Sequence, residues 1–154
     1  MKTRIFLWIL AGATLAGCAS VTIPNYIREE HPYHKTFYAS YDAVLEATVQ
    51  SLKDSGWEIS KKTDPAVFER NRDQGDLQVR QVLLFTDVRQ MALILGTRYA
   101  RMNIYLQSSP SADDSTDVEL RYLTVTSVSL KDFYNYRNDG YARKLFERIE
   151  SRLK

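Results

Sequence analysis

The side chains of this chain that could carry out chemistry are led by one cysteine and two histidines. Cys18 is the only cysteine among 154 residues, and His31 and His34 are the only histidines. Two histidines three positions apart can supply two ligands to a metal ion, but a zinc site needs a third and usually a fourth. The pair lies in a proline-containing stretch with no third histidine, so the sequence predicts no metal site and no cofactor.

Neither the pairs of acidic residues nor the pattern of a catalytic triad predicts an active site. The acids at 29–30 and at 113–114 are adjacent in sequence, whereas glycosidases hold two carboxylates several ångströms apart across a cleft. A Ser-His-Asp site needs a histidine held within reach of its nucleophile, and no Gly-x-Ser-x-Gly turn is present. The sequence therefore favours a protein that is not an enzyme. Glu69 and Glu119, on separate predicted strands, keep a hydrolase open as an alternative.

The first twenty residues have the pattern of an export signal. Lys2 and Arg4 precede the uncharged, mostly apolar residues 5–16. This stretch is shorter than the roughly 20 residues that a membrane-spanning helix needs. It runs into Leu-Ala-Gly-Cys at 15–18, which is an aliphatic residue, two small residues and a cysteine. In these features the segment resembles the precursors of bacterial lipoproteins, and residues 15–18 fit the lipobox of that family at every position.

The resemblance implies a lipid anchor. Cys18 would carry a thioether-linked diacylglycerol, the signal would be cleaved after Gly17, and the new amino terminus would be acylated. Two or more acyl chains hold a protein stably on a membrane, since each buried methylene contributes about 0.8 kcal/mol. By the same resemblance, Ala19 after the cysteine implies a Gram-negative outer membrane, facing the periplasm, more than the inner membrane. The alternatives are an uncleaved helix over residues 5–23 and a conventionally cleaved signal.

The mature chain would carry no net charge. Cleavage after Gly17 leaves 137 residues, a length typical of one domain. It also removes Lys2 and Arg4, which takes the 21 basic residues to 19, equal to the 19 acidic ones. No basic patch stands out, so nucleic acid is not an expected partner. The predicted organisation is a signal peptide over 1–17, an anchor and tether over 18–39, and a globular domain over 40–154. The tether is rich in aromatic residues, so part of it is expected to pack on the domain or a partner.

Hydrophobic periodicity predicts two helices and several strands. Apolar side chains recur every three or four positions over residues 41–55 and 139–153, with Ser40 as the N-cap of the first helix and Gly56 as its stop. Alternating patterns predict strands. The predicted strands are 57–60, 66–70, a strand containing Leu77, Val79, Leu83 and Phe85, then 98–107 and 118–128.

Short connections between these strands imply an antiparallel sheet, and both helices must bury an apolar stripe. The predicted fold class is therefore α+β: a two-layer domain in which two helices pack on one face of an antiparallel sheet of four or five strands. The layout over residues 40–153 is similar to that of small envelope lipoprotein domains, such as the C subunit of the outer-membrane β-barrel assembly machinery.

Two further segments are candidates for binding. Residues 88–95, VRQMALIL, are either a buried strand or core helix, or an apolar surface that meets a partner or the free face of the sheet. Residues 133–141, FYNYRNDGY, hold four aromatic residues, a density that fits a packed corner or a binding site. Arg137 is placed to stack on a ring. The partner-binding candidates are Met91, Leu93, Leu95, Phe133, Tyr134, Tyr136, Arg137 and Tyr141.

The sequence thus predicts a lipid-anchored envelope protein that binds another envelope protein and has no catalytic activity. Two alternatives stay open. One is a protein that binds a small apolar ligand or lipid between the sheet and residues 88–95. The other is an envelope hydrolase that uses scattered carboxylates.

Overall fold

The computed structural model describes residues 21–28, 31–69, 79–109, 114–129 and 131–154. These residues form one antiparallel sheet of seven strands and two α-helices, with a single 3-10 turn at Pro65–Val67. In chain order the elements are β1 (Tyr33–Phe37), α1 (Tyr41–Asp54), β2 (Ile59–Thr63), β3 (Gln81–Thr86), β4 (Arg89–Leu93), β5 (Gly96–Ser108), β6 (Thr116–Val128), β7 (Lys131–Asn135) and α2 (Asp139–Arg152).

The sheet is built around the long hairpin of β5 and β6, which pair from Thr97 opposite Ser127 to Ser108 opposite Thr116. One end of this hairpin is flanked by β1 on one side and by β3 and β2 on the other. We call this end the body. The other end is flanked by β7 and β4. We call β4, β7, residues 96–100 and residues 124–128 the extension.

Gly96 allows β5 to approach β6 closely in the extension. It lies where β5 leaves the turn after β4, and its backbone approaches that of β6 closely. A Cβ atom on Gly96 would lie 2.1 Å from the carbonyl oxygen of Ser127. Real side chains do not make such a contact, so the position needs glycine.

Both helices form where the sequence predicts them. Ser40 caps α1 by accepting a hydrogen bond from the backbone N–H of Ala43 at 3.4 Å, and Gly56, at φ 74°, follows the helix. Asn138 caps α2 by accepting from the N–H of Tyr141 at 3.1 Å. The apolar stripes of both helices are buried with the inner-facing side chains of the body. Among the largest buried members of this core are Val44, Leu52, Met102, Ile104, Leu106, Leu120, Leu145 and Ile149.

The predicted α+β class is confirmed, but the described sheet has seven strands where four or five were expected. β1 lies in the segment assigned to the tether, and β7 overlaps the aromatic segment 133–141, where no strand was predicted. The strand predicted at 57–60 begins and ends later, as β2 at Ile59–Thr63. Of the third predicted strand, Leu83 and Phe85 lie in β3, Val79 precedes it, and Leu77 lies outside the described residues.

The strand predicted at 66–70 is wrong. Pro65 has no N–H to give to a sheet, and the Asp64 carboxylate accepts from the N–H of Ala66 at 2.9 Å, which favours a turn. The N–H of Phe68 then donates to the Pro65 carbonyl at 2.9 Å. The chain therefore forms a 3-10 turn here and brings the Phe68 ring against Tyr26 and Phe85.

The face of the sheet opposite the helices is covered by residues 21–28. Ile27 is fully buried against Leu123 and Val125, and Val21 and Ile23 border the same cluster. The expectation that part of the tether packs on the domain is thereby confirmed. The sheet thus lies between a layer of helices and a thinner layer of irregular chain, which we call the back-face segment.

Candidate interaction surface

Along the β5–β6 hairpin, the two helices cover the body of the sheet and end at the start of the extension. The guanidinium of Arg89 lies 4.9 Å from the centre of the Trp57 ring and donates to the carbonyl oxygen of Ser55, at the end of α1, at 3.0 Å. On the same side, the ring of Tyr122 stacks on Tyr141 of α2 at 5.8 Å. Beyond these contacts the helix-side face of the extension has no helix over it in the described part of the chain.

Apolar side chains therefore remain exposed on this uncovered face. Met91 lies opposite Arg98, Arg98 lies opposite Thr126, and Thr126 lies opposite Phe133. Directly opposed residues of an antiparallel sheet share one face, so these four side chains form one row across the extension. Met91 and Phe133 are 57% and 58% exposed at its two ends.

The turn between β4 and β5 is the most apolar point of the surface. It consists of Ile94, which is fully exposed, and Leu95, which is 76% exposed. Leu93 precedes them and is half-buried. We call Met91, Leu93, Ile94 and Leu95 the apolar tip. Large exposed hydrophobic side chains that stand together mark interaction sites more often than scattered ones do.

Residues 88–95 are therefore neither a buried strand nor a core helix. They form strand β4 and its turn, so they belong to the sheet itself and do not lie over it. The space that the ligand-binding alternative supposed, between the sheet and this segment, has no counterpart in the described residues. The exposure of β4 follows from its position, because in the described residues the helix layer does not extend over this part of the sheet.

The structure places most of the predicted binding residues in or next to the extension, on its two edges. Met91, Leu93 and Leu95 lie on one side of the extension, and Phe133 and Tyr134 lie on the other, in β7. Phe133 shares its face with Met91, whereas Tyr134 lies on the opposite face, in register with Val125. Tyr136 is exposed in the connection from β7 to α2.

Arg137 and Tyr141 have different surroundings. Arg137 stacks at 4.2 Å on the ring of Tyr33, which belongs to β1, and donates to the carboxylate of Asp139 at 3.0 Å. The hydroxyl of Tyr33 also donates to Asp139, at 2.6 Å, and this bond, followed by the charge of Arg137, lowers the pKa of the Asp139 carboxyl. Tyr141 packs between Trp57 and Tyr122 and contributes to the core. Arg137 and Tyr141 thus join β1, the core and the start of α2.

A buried polar cluster lies on the other face of the body. Arg121 of β6 binds Glu119 at 2.6 Å and Glu69 at 2.8 Å, and its side chain is only 10% exposed. The hydroxyl of Tyr26 from the back-face segment donates to Glu69 and also contacts Arg121. Burial, and then the bond to Glu69, raises the pKa of the Tyr26 hydroxyl. The two carboxylates that the hydrolase alternative named do meet, but each is ion-paired to the same arginine.

Asn103 fastens the back-face segment to the sheet. Its side chain is fully buried in the middle of β5, accepts a hydrogen bond from the N–H of Ile27 at 2.7 Å, and donates to the carbonyl of Asn25 at 3.1 Å. Sequence reasoning missed Asn103 and Arg121 as structural residues. The sequence shows only that these polar residues alternate with apolar ones along a strand. The same alternation occurs whether the polar face of the sheet meets solvent or a covering segment.

The remaining predicted groups are either exposed or outside the described residues. His31 and His34 are exposed at and just before β1, and Asp114 is exposed after the loop that follows β5. Cys18, Glu29, Glu30 and Asp113 lie outside the described residues. Within the described ranges, no three histidine, cysteine or acidic side chains stand close enough to hold a metal ion. Nor is any helix there long and apolar enough to span a bilayer.

No family model matches the chain, and a search among curated proteins finds no match.

Proposed function

We propose that this chain is a lipoprotein of the bacterial envelope that binds a protein partner and has no catalytic activity of its own. A lipid on Cys18 would hold it on the outer membrane, with the domain in the periplasm. The observation that carries the proposal is the Leu-Ala-Gly-Cys box at 15–18, preceded by a basic start and a short apolar stretch. Location follows from the anchor, and the partner role follows from the surface of the domain.

The exposed edge of the sheet supports a partner role. All five residues of β7 are exposed, and among the described strands β7 pairs only with β6. Within the described residues no strand pairs with its second edge, which leaves backbone N–H and C=O groups there for a partner strand to recognise. Phe133 and Tyr134 add aromatic area on the two faces of that edge, where tyrosine and phenylalanine are favoured in interfaces.

The anchor is tested by metabolic labelling with palmitate in cells that make the wild-type chain or Cys18→Ser. We expect the wild type to take up label and to fractionate with membranes, because acylation of Cys18 supplies more than one acyl chain. Cys18→Ser is expected to lose the label and to retain its signal peptide. Ser20→Ala, two positions away, is the matched control and should label as the wild type does. Equal labelling of wild type and Cys18→Ser would refute the anchor.

The partner site is tested by cross-linking in intact cells, followed by purification of the chain from detergent-solubilised membranes. The double variant Phe133→Ser, Tyr134→Ser should lose the cross-linked partner, because aromatic anchors dominate interface energetics. Tyr38→Ser is the control, since Tyr38 is 91% exposed and lies next to β1, at the far end of the sheet. Retention of the same partner by the double variant would remove β7 from the site.

A further inference from the structure

The hydrogen bonds of the back-face segment show which way this segment runs along β5. The N–H of Ile27 donates to the side chain of Asn103, whose amide donates in turn to the carbonyl of Asn25. One step further back, Arg101 donates to the carbonyl of Pro24 at 3.0 Å. As the chain is followed from residue 27 to residue 24, its contacts move along β5 from 103 to 101. This is the direction of the turn that holds the apolar tip.

The start of the segment packs on a cluster that the extension shares. Val21 packs on the cluster of Ile27, Leu123 and Val125, and Tyr99 of β5 borders the same cluster. From Tyr99 to Leu95 is four strand residues, about 13 Å. Cys18 is three residues before Val21, so the chain between them spans at most about 11 Å. The two lengths are comparable, so the chain between Val21 and Cys18 is long enough to bring a lipid on Cys18 close to the level of the apolar tip.

The chemistry of the tip fits a lipid surface. Ile94 and Leu95 protrude as a two-residue turn at the end of a hairpin, whereas each partner in a standard protein interface contributes roughly 20–30 residues. A bilayer accepts such protruding side chains, because apolar groups enter its interface by about 5–10 Å.

The charges around the tip suit phosphate headgroups. Apart from Arg89, which packs on the end of the helix layer, the described residues of the extension carry two basic side chains, Arg98 and Lys131, and one acidic side chain, Asp132. Arg98 stands directly beside Met91 in register, and Lys131 lies at the start of β7, at the same end of the sheet. Long basic side chains next to apolar ones place their charge in the headgroup layer while their stems stay apolar.

We propose that the apolar tip rests in the lipid surface that carries the anchor, so that the domain stands with its extension towards the membrane. The proposal rests on the lipid anchor of the proposed function. The anchor and the tip then form two contacts with one surface, joined through the back-face segment and Asn103. This orientation keeps the body, with β1 and Tyr38, away from the bilayer and leaves the β7 edge accessible from the side.

Bromolipid quenching of tryptophan fluorescence tests the orientation. The lipidated chain carrying Leu95→Trp is purified in detergent and reconstituted into vesicles of phosphatidylethanolamine and phosphatidylglycerol, with or without brominated acyl chains. Tyr38→Trp is the matched control, because both positions are exposed and they lie at opposite ends of the sheet. Emission from the buried Trp57 is common to all samples and is subtracted as background. Ile94→Trp serves as a second probe should Leu95→Trp fail to fold.

We expect the probe at 95 or 94 to be quenched at least about twofold more than the probe at 38, given the depth that interfacial side chains reach. Equal quenching, or stronger quenching at 38, in chains that float with the vesicles would overturn the orientation and leave the anchor standing. An unquenched tip in floating chains would also overturn it and would assign the tip to a protein partner or a second copy. Chains that lack lipid and do not float would instead refute the proposed function.

Discussion

Replacement of Arg121 by methionine is expected to lower the free energy of unfolding by about 3–5 kcal/mol, because it removes one partner of a buried ion cluster. Arg121 is shared by Glu119, whose side chain is 3% exposed, and by Glu69, whose side chain is 15% exposed. Both carboxylates would lose the positive charge that compensates for their burial. Methionine fills a similar volume, so the loss would come mainly from charge and not from a cavity.

Urea unfolding of the full chain in nonionic detergent at neutral pH, followed by far-ultraviolet circular dichroism, measures this loss. Arg98→Met is the matched control, because Arg98 is an exposed arginine in the neighbouring strand, and its removal should change stability by less than about 0.5 kcal/mol. Adding Glu69→Gln and Glu119→Gln to Arg121→Met should recover part of the loss, since no unpaired charge then remains. A loss below about 1 kcal/mol for Arg121→Met would mean that the carboxylates reach solvent when the arginine is gone.

Sequence alone predicts the elements in which apolar side chains recur at the regular spacing of a helix or a strand. α1 and α2 each have one buried face and one exposed face, and the predicted cap of α1, Ser40, is a local feature. β5 alternates clearly, and Met102, Ile104 and Leu106 share its helix-side face. These signals are local, so tertiary contacts reinforce them without being needed to detect them.

The elements that the sequence does not predict lack a regular spacing of apolar side chains. All five residues of β7 are exposed, so its side chains do not divide into a buried and an exposed set. The apolar run at 88–95 resembles a buried strand, but the sheet leaves it at an uncovered end. Composition records how apolar a segment is and does not record which part of the chain covers it.

The candidate site could also be predicted only in part from the sequence. The aromatic and aliphatic residues of the two binding segments were found from composition, but their shared location required the register of β4, β5, β6 and β7. The cluster around Arg121 could not be predicted from β6. In the run of residues 118–122, the polar positions Glu119 and Arg121 alternate with apolar ones, which normally indicates a solvent-facing side. Their cover comes from Tyr26, about 95 residues earlier in the chain.

The second large effect is expected at Leu120, and Leu123 provides its matched comparison. Both are fully buried leucines of β6, but they lie on opposite faces of the sheet. Leu120 is in register with Ile104 of β5 and Tyr33 of β1 and lies under the helix layer. Leu120→Ala should cost about 3–5 kcal/mol, because regular elements surround the site and cannot close on the cavity.

Leu123→Ala should cost less, about 2 kcal/mol, since the cost of a cavity falls when its surroundings can collapse into it. Leu123 is covered by the back-face segment, which in the described residues has neither helix nor strand structure around Ile27. Unfolding in urea under the same conditions gives both values, and their difference is the informative quantity. An equal or greater loss for Leu123→Ala would mean that the back-face segment is packed as rigidly as the helices. The direction in which the chain leaves the domain towards Cys18 would then be fixed by the fold itself.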